Sequence, residues 1–224
     1  MDRIEASRRD AEQLKGQPLS EVTPSRRDLS LYIAGRKEAP EIIARVTLGG
    51  GSSTRQRLVE YATACDEAEV AALSVSLLDD LTPEDLAGVS AASTAPVLRE
   101  DALIDSNQLY HSRLHGIDAV VLPADTLSAN DVGRLVDIAV SMHMSVIIEC
   151  ASEEAVGVAL RWPYTMLGIR DLSAAGELGR RAPANRTMVL LAEVATREEY
   201  ERARGICDAV VVGPSAMQSL RNVS

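Results

Sequence analysis

The chain has 224 residues, 46% of them hydrophobic, a formal net charge of -10, three cysteines and no phenylalanine. That length suits one core better than several domains, and the acidic balance argues against nonspecific nucleic-acid binding, which needs a basic surface to neutralise phosphates. No apolar run approaches the roughly 20 residues that span a bilayer, and Cys65, Cys150 and Cys207 form no CxxC pair, so a soluble cytoplasmic chain with free buried thiols is expected.

Residues 1 to about 38 are mostly polar and are broken at Gly16-Gln17-Pro18 and Thr23-Pro24-Ser25. They predict a helix over 2–15 and a second, short one over 29–36. This extension, 1–38, is expected to lie outside the repeated core of 39–224 and to cover an end of it.

From residue 42 onward, short apolar runs alternate with helix-length segments. Strands are predicted at 42–47, 72–77, 96–99 running on to Glu100, 119–122, 145–150, 166–170, 187–193 and 209–213. Thr82-Pro83-Glu84-Asp85 places a cap residue, a proline and two acids where a helix starts. Ser152-Glu153-Glu154 and Thr196-Arg197-Glu198-Glu199 open further helices. The others are predicted over 54–66, 105–115, 127–142 and 173–178, with a short final one after Ser215. Branched aliphatic strands joined by helices read as a parallel α/β sheet. Eight repeats fit a closed (β/α)8 TIM barrel; an open doubly wound sheet is the competing topology.

Side chains alternate along a strand, so Ile43, Arg45 and Thr47 share one face, as do Leu98 with Glu100, Ile147 with Glu149, Gly168 with Arg170, and Leu191 with Glu193. In a barrel that face points into the ligand site at the C-terminal strand ends. Arg45, Glu100, Glu149, Arg170 and Glu193 are therefore expected to form an interior ring, which either binds something or neutralises itself. Gly49-Gly50-Gly51-Ser52-Ser53 reads as a flexible lid or a phosphate cradle. Asp101 is expected to cap or to hold a neighbouring arginine. His111, His115 and His143 fall on helices away from strand ends and are expected at the surface or at helix ends. No metal-ligand cluster and no dinucleotide fingerprint stand out, so neither metal nor cofactor is expected.

Pro96-Val97-Leu98-Arg99-Glu100-Asp101 resembles the P-V-L-R-K-D-F phrase of the indole-3-glycerol-phosphate synthase family. The likeness continues through Ile104-Asp105, Gln108-Leu109-Tyr110, Gly116-Ile117-Asp118-Ala119-Val120, Ile148-Glu149, Leu167-Gly168-Ile169 and Val212-Gly213-Pro214-Ser215-Ala216-Met217. The resemblance implies a barrel that closes an indole ring on a phosphorylated anthranilate derivative, losing carbon dioxide and water. It implies that the family's strand-three lysine, its general acid, stands here as Glu100. The family's strand-one glutamate and lysine stand as Arg45 and Thr47, and its strand-six asparagine falls on Arg170. The strand-five and strand-seven glutamates are kept as Glu149 and Glu193. The family's phosphate-binding E-S-G-I reads here as Glu193-Val194-Ala195, and Pro214 follows the strand-eight glycine, leaving Gly213 and Ser215 as donors.

The only lysines, Lys15 and Lys37, stand at no strand end. Three readings follow. In the first, a divergent lyase, cyclase or isomerase uses Glu100, Glu149 and Glu193 for acid–base work, with Arg45, Thr47, Arg170, Gly213 and Ser215 binding a small cyclic or anionic substrate. The second is a noncatalytic barrel that binds a ligand or scaffolds a pathway enzyme; the third is retained indole-ring closure. A second copy of the chain or a pathway enzyme is the expected protein partner, and nucleic acid and membrane are not.

Overall fold

A computed structural model describes residues 3–16, 21–34, 39–47, 55–77 and 81–221. The strands are β1 (Glu41–Arg45), β2 (Ala72–Val75), β3 (Val97–Ala102), β4 (Ala119–Pro123), β5 (Ser145–Glu149), β6 (Met166–Ile169), β7 (Met188–Val194) and β8 (Ala209–Val212). Each pairs in parallel with its neighbours in sequence, and β1 pairs with β8 as well as with β2. The sheet is therefore a closed (β/α)8 barrel, and the open doubly wound alternative is excluded.

Alternation along the strands builds two apolar layers. Inside lie Ile43, Leu98, Val121, Ile147, Leu191 and Val211. Between the strands and the helices lie residues such as Ala44, Val97, Val120, Ile148 and Val212. The helices that supply the outer partners are α3 (Arg55–Glu67), α4 (Pro83–Ala91), α5 (Ser106–Leu114), α6 (Ala129–Ser141), α7 (Glu153–Ala159), α8 (Leu172–Gly179), α9 (Arg197–Ala203) and α10 (Pro214–Arg221), preceded in the chain by α1 (Arg3–Leu14) and α2 (Leu29–Ile33). Thr82 caps α4 in a reciprocal box with Asp85, as its sequence predicts. Gly168 faces the interior, where an added Cβ would meet Leu191 and Ile147 at 2.6 and 2.7 Å.

The two N-terminal helices occupy opposite ends of the barrel. On α2, Leu29 and Ile33 join the interior core and plug the N-terminal end. The approach to α2 is held by Arg27, which pairs with buried Asp118 at 2.7 Å and donates to the carbonyls of Ser90, Ser93, Ala95 and Gly116. By contrast, α1 lies by the C-terminal strand ends against β3 and α5. Its Ser7 hydroxyl donates to the Ala102 carbonyl, and Gln108 of α5 donates to the Ser7 carbonyl at 3.0 Å and to Asp10 at 2.8 Å.

The observed strands differ from the predicted ones mainly at their ends. β1 stops at Arg45 and β2 at Val75, short of the predicted 47 and 77. β3 runs on to Ala102 because a bulge places Glu100 and Asp101 between the pairs Arg99–Val120 and Ala102–Val121. Among the described residues no helix is long and apolar enough to cross a membrane.

Candidate active site

The strand ends bring the expected ring together. Glu100, 4% exposed, meets Arg45 through Oε1 at 3.1 Å and accepts from the Ser74 hydroxyl at 2.8 Å through Oε2. Arg45 also reaches Glu193 at 3.4 Å. On the other side, Glu149 lies 3.2 Å from Arg170 Nε, and Arg170 spends its two remaining nitrogens on the carbonyls of Leu191 and Glu100, each at 3.0 Å. Arg170 follows the last residue of β6, so its guanidinium crosses the barrel mouth from strand six to strand three.

Two participants were not anticipated. Arg3 of α1 forks onto Glu149, donating Nη1 to Oε1 at 3.0 Å and Nη2 to Oε2 at 3.2 Å, and it also donates to the Glu100 carbonyl. Nothing in the strand pattern points to it, because it arrives from a helix 146 residues distant in sequence. Ser74 could have been found, since it shares the inward face of β2 with Ala72 and stands beside Arg45 in register.

The ring therefore holds three guanidiniums and three carboxylates in linked pairs. Burial pushes the Glu100 carboxyl above its usual range, a shift that Arg45 and Ser74 only partly oppose. Burial likewise lowers the Arg170 guanidinium against the pull of Glu149. A buried carboxyl that gains a proton more easily and a carboxylate paired with two guanidiniums give this end of the barrel both an acid and a base.

The remaining site expectations fall at the rim. Thr47 lies beyond the end of β1, half-buried, where residues 48–54 begin. The glycine-serine stretch 49–53, expected as lid or cradle, lies outside the described residues. Gly213 follows β8, and Ser215 is exposed in the first turn of α10. Asp101 does hold its neighbouring arginine: it takes Arg99 Nε at 2.7 Å on the outward face of β3. His115 caps α5, with its ring centroid 4.4 Å from that of His111, and His143 follows α6 in a left-handed conformation. The three cysteines are buried and free, and among the described residues no group of three or more histidine, cysteine or acidic side chains is placed to hold a metal ion.

Residues 2–222 match the sequence model of the indole-3-glycerol phosphate synthase family. Among similar proteins, the indole-3-glycerol phosphate synthase of Legionella pneumophila strain Paris is 24% identical, with 93% of each chain covered. That of Albidiferax ferrireducens is 30% identical over 86% of this chain and 80% of its own. Among solved structures, a mutant tryptophan synthase alpha-subunit from Pyrococcus furiosus aligns with a TM-score of 0.62 at 14% identity, covering 83% of this chain and 92% of that one. At that identity the likeness speaks for the fold alone.

Proposed function

Because the chain belongs to the indole-3-glycerol phosphate synthase family, we propose that it is a divergent lyase, cyclase or isomerase that acts on a small carboxylate-bearing metabolite by carboxylate acid–base chemistry. Glu100 serves as the proton donor, Glu149 as the base, and Arg45 and Arg170 as the groups that hold the substrate anion. Glu193 completes the acid set at the mouth.

The observation that carries this reading is the buried Glu100 and its pairing with Arg45. Where the resemblance implies a strand-one glutamate and a strand-three lysine, this chain has Arg45 and Glu100 at 3.1 Å, the same kind of ion pair with its polarity reversed. A carboxyl whose pKa is raised by burial keeps its proton to higher pH than an ordinary surface glutamate does, which suits it to act as a donor. The reversal also argues against retained indole-ring closure, since the ammonium which that reaction uses as its acid is replaced by a carboxyl group.

The reading is tested by exposing the folded chain to a metabolite extract, identifying enriched compounds by mass spectrometry, and following their conversion. A carboxylate should be enriched and converted, and Glu149→Gln should slow conversion by a factor of about 10²–10⁴. No enriched compound, or turnover indifferent to Glu149→Gln, overturns it.

One observation favours a second reading. Each of the six charged groups in the ring already has a protein partner of opposite charge, so the mouth is satisfied without a ligand. A noncatalytic barrel that scaffolds a pathway enzyme would look the same, and a similar fold occurs in a tryptophan synthase complex from Pyrococcus furiosus. Affinity purification from native cells separates the two readings: a stoichiometric protein partner with no turnover selects the scaffold.

A further inference from the structure

Two guanidiniums from distant parts of the sequence converge on one side of the barrel mouth. Arg3 and Arg170 both approach Glu149 Oε1, at 3.0 and 3.2 Å, and both donate to the Glu100 carbonyl, at 3.1 and 3.0 Å. Helical spacing delivers Arg3 there: Arg3, Ser7 and Asp10 stand at i, i+4 and i+7, so the face that docks α1 through Ser7 and Asp10 also turns Arg3 toward the ring. Arg8 and Arg9 pair instead with Glu5 on the exposed side of the helix.

This arrangement exceeds what holding Glu149 requires. One guanidinium already balances that carboxylate, and the second adds a like charge: burial lowers the Arg170 guanidinium, and Arg3 adds to the effect against the pull of Glu149. The fit of Arg170 to Glu149 is also incomplete, since its Nε, although 3.2 Å from Oε1, is buried with no acceptor in hydrogen-bonding geometry. Nor does α1 need the pair to stay docked, because Ser7, Asp10 and Gln108 already tie it to β3 and α5. Among the described residues the ring sets three guanidiniums against Glu100, Glu149 and Glu193. Burial favours the protonated form of Glu100, and with that proton in place the ring carries one positive charge in excess.

We propose that Arg3 and Arg170 form one receptor for the substrate carboxylate, with Glu149 as its resident occupant, so that an incoming carboxylate displaces Glu149 and leaves it free to act as the base. The exchange sets one carboxylate in place of another against the same donors, so the charge-assisted bonds given up by Glu149 are regained by the ligand. Arg3 is then a substrate-binding residue carried on α1, and Glu149 stays occupied until a ligand takes its place. The inference rests on the reading that the ring binds a carboxylate, and it adds which groups hold it and what they release.

The test titrates benzoate by calorimetry into the full chain, into Glu149→Gln and into a Glu149→Gln, Arg3→Gln double variant, with each fold checked by thermal unfolding. Glu149→Gln removes the resident anion and should bind benzoate at least about tenfold more tightly than the unmodified chain, and the double variant should lose that gain. An Arg3 that only straps α1 down would leave the gain intact in the double variant. That result overturns the proposal, as does a folded Glu149→Gln protein that gains nothing. Should Glu149→Gln not fold, the side-chain Nε resonances of Arg3 and Arg170 are followed in the unmodified chain during the same titration. Both should shift saturably with one dissociation constant, and an Arg3 signal that does not move overturns the proposal. None of these readouts uses turnover, so the two readings fail separately. An Arg3 without effect defeats the receptor and leaves conversion dependent on Glu149 standing, whereas the expected gain and loss without any conversion support the receptor and defeat only the catalytic reading.

Discussion

Arg99 and Glu100 are neighbours in β3, and they end in opposite environments. Arg99 points outward into the seam between the strand, α1 and α5, where it is 1% exposed. It gives Nε to Asp101 at 2.7 Å, Nη2 to Asp10 at 2.6 Å and Nη1 to the Ser112 hydroxyl at 3.1 Å. Burial works to lower its pKa, but the two carboxylates outweigh that and raise it, so the charge is fixed. Glu100 points inward to the mouth, where burial dominates over Arg45 and the carboxyl is pushed toward its neutral form. One step of strand alternation separates a locked charge from one that can move, which is the physical difference between a structural ion pair and a reactive one.

The sharpest way to break this comparison is Arg99→Ala. It would leave Asp101 and Asp10 in the seam without their cation, and losing one partner of a sealed ion pair costs about 3–5 kcal/mol. Urea unfolding should show a loss of that order, and amide exchange should speed in α1, because Asp10 carries the helix's tie to Arg99. Arg99→Lys should recover only part of the loss, since an ammonium cannot reproduce the fork that reaches Asp101, Asp10 and Ser112 together. A fully stable Arg99→Ala protein would mean that the seam is held by its apolar contacts alone.

Arg3→Gln acts on the ring from the same helix and should cost far less. The Arg3–Glu149 pair is partly open to water, at 31% and 15% side-chain exposure, so solvent screening limits its contribution to within about 1 kcal/mol. The helix should remain docked, because the Asp10, Ser7 and Gln108 contacts are untouched. Unfolding measurements should therefore barely move, while binding of a carboxylate probe should change, because Arg170 loses its co-tenant on Glu149. A large stability loss with unchanged probe binding would reassign Arg3 to the seam.

How far the sequence could be read follows from the same contrast. Strand alternation placed Arg45, Glu100, Glu149 and Glu193 at one end of the barrel because each is carried by a strand with an apolar partner two residues earlier, and Arg170 there because it directly follows β6. The start of α4 was legible because Thr82, Pro83 and Asp85 act within four residues of one another. Arg3 was not legible, since α1 docks through Ser7, Asp10 and Arg3 more than through an apolar stripe, and hydrophobic periodicity does not register a polar seam. The bulges in β3 and β7 were equally hidden: they depend on which residue of the neighbouring strand is met, and that is decided only when the barrel closes.

The smallest effect, and the one that bears most directly on the chemistry, is the pH dependence conferred by Glu100. Its folded pKa lies above the ordinary carboxylate value, so the native state binds its proton more readily than the unfolded chain does. Relative to Glu100→Gln, the unmodified protein should gain stability as pH falls from neutrality through the folded pKa. The gain should be complete below the unfolded value and lost as pH rises again. Urea unfolding of the two proteins across that range gives the difference directly. The opposite slope, with Glu100 favouring the folded state only when ionised, would mean that Arg45 and Ser74 outweigh burial. Glu100 would then be a fixed partner for Arg45, and the proton donor would have to be sought elsewhere in the ring.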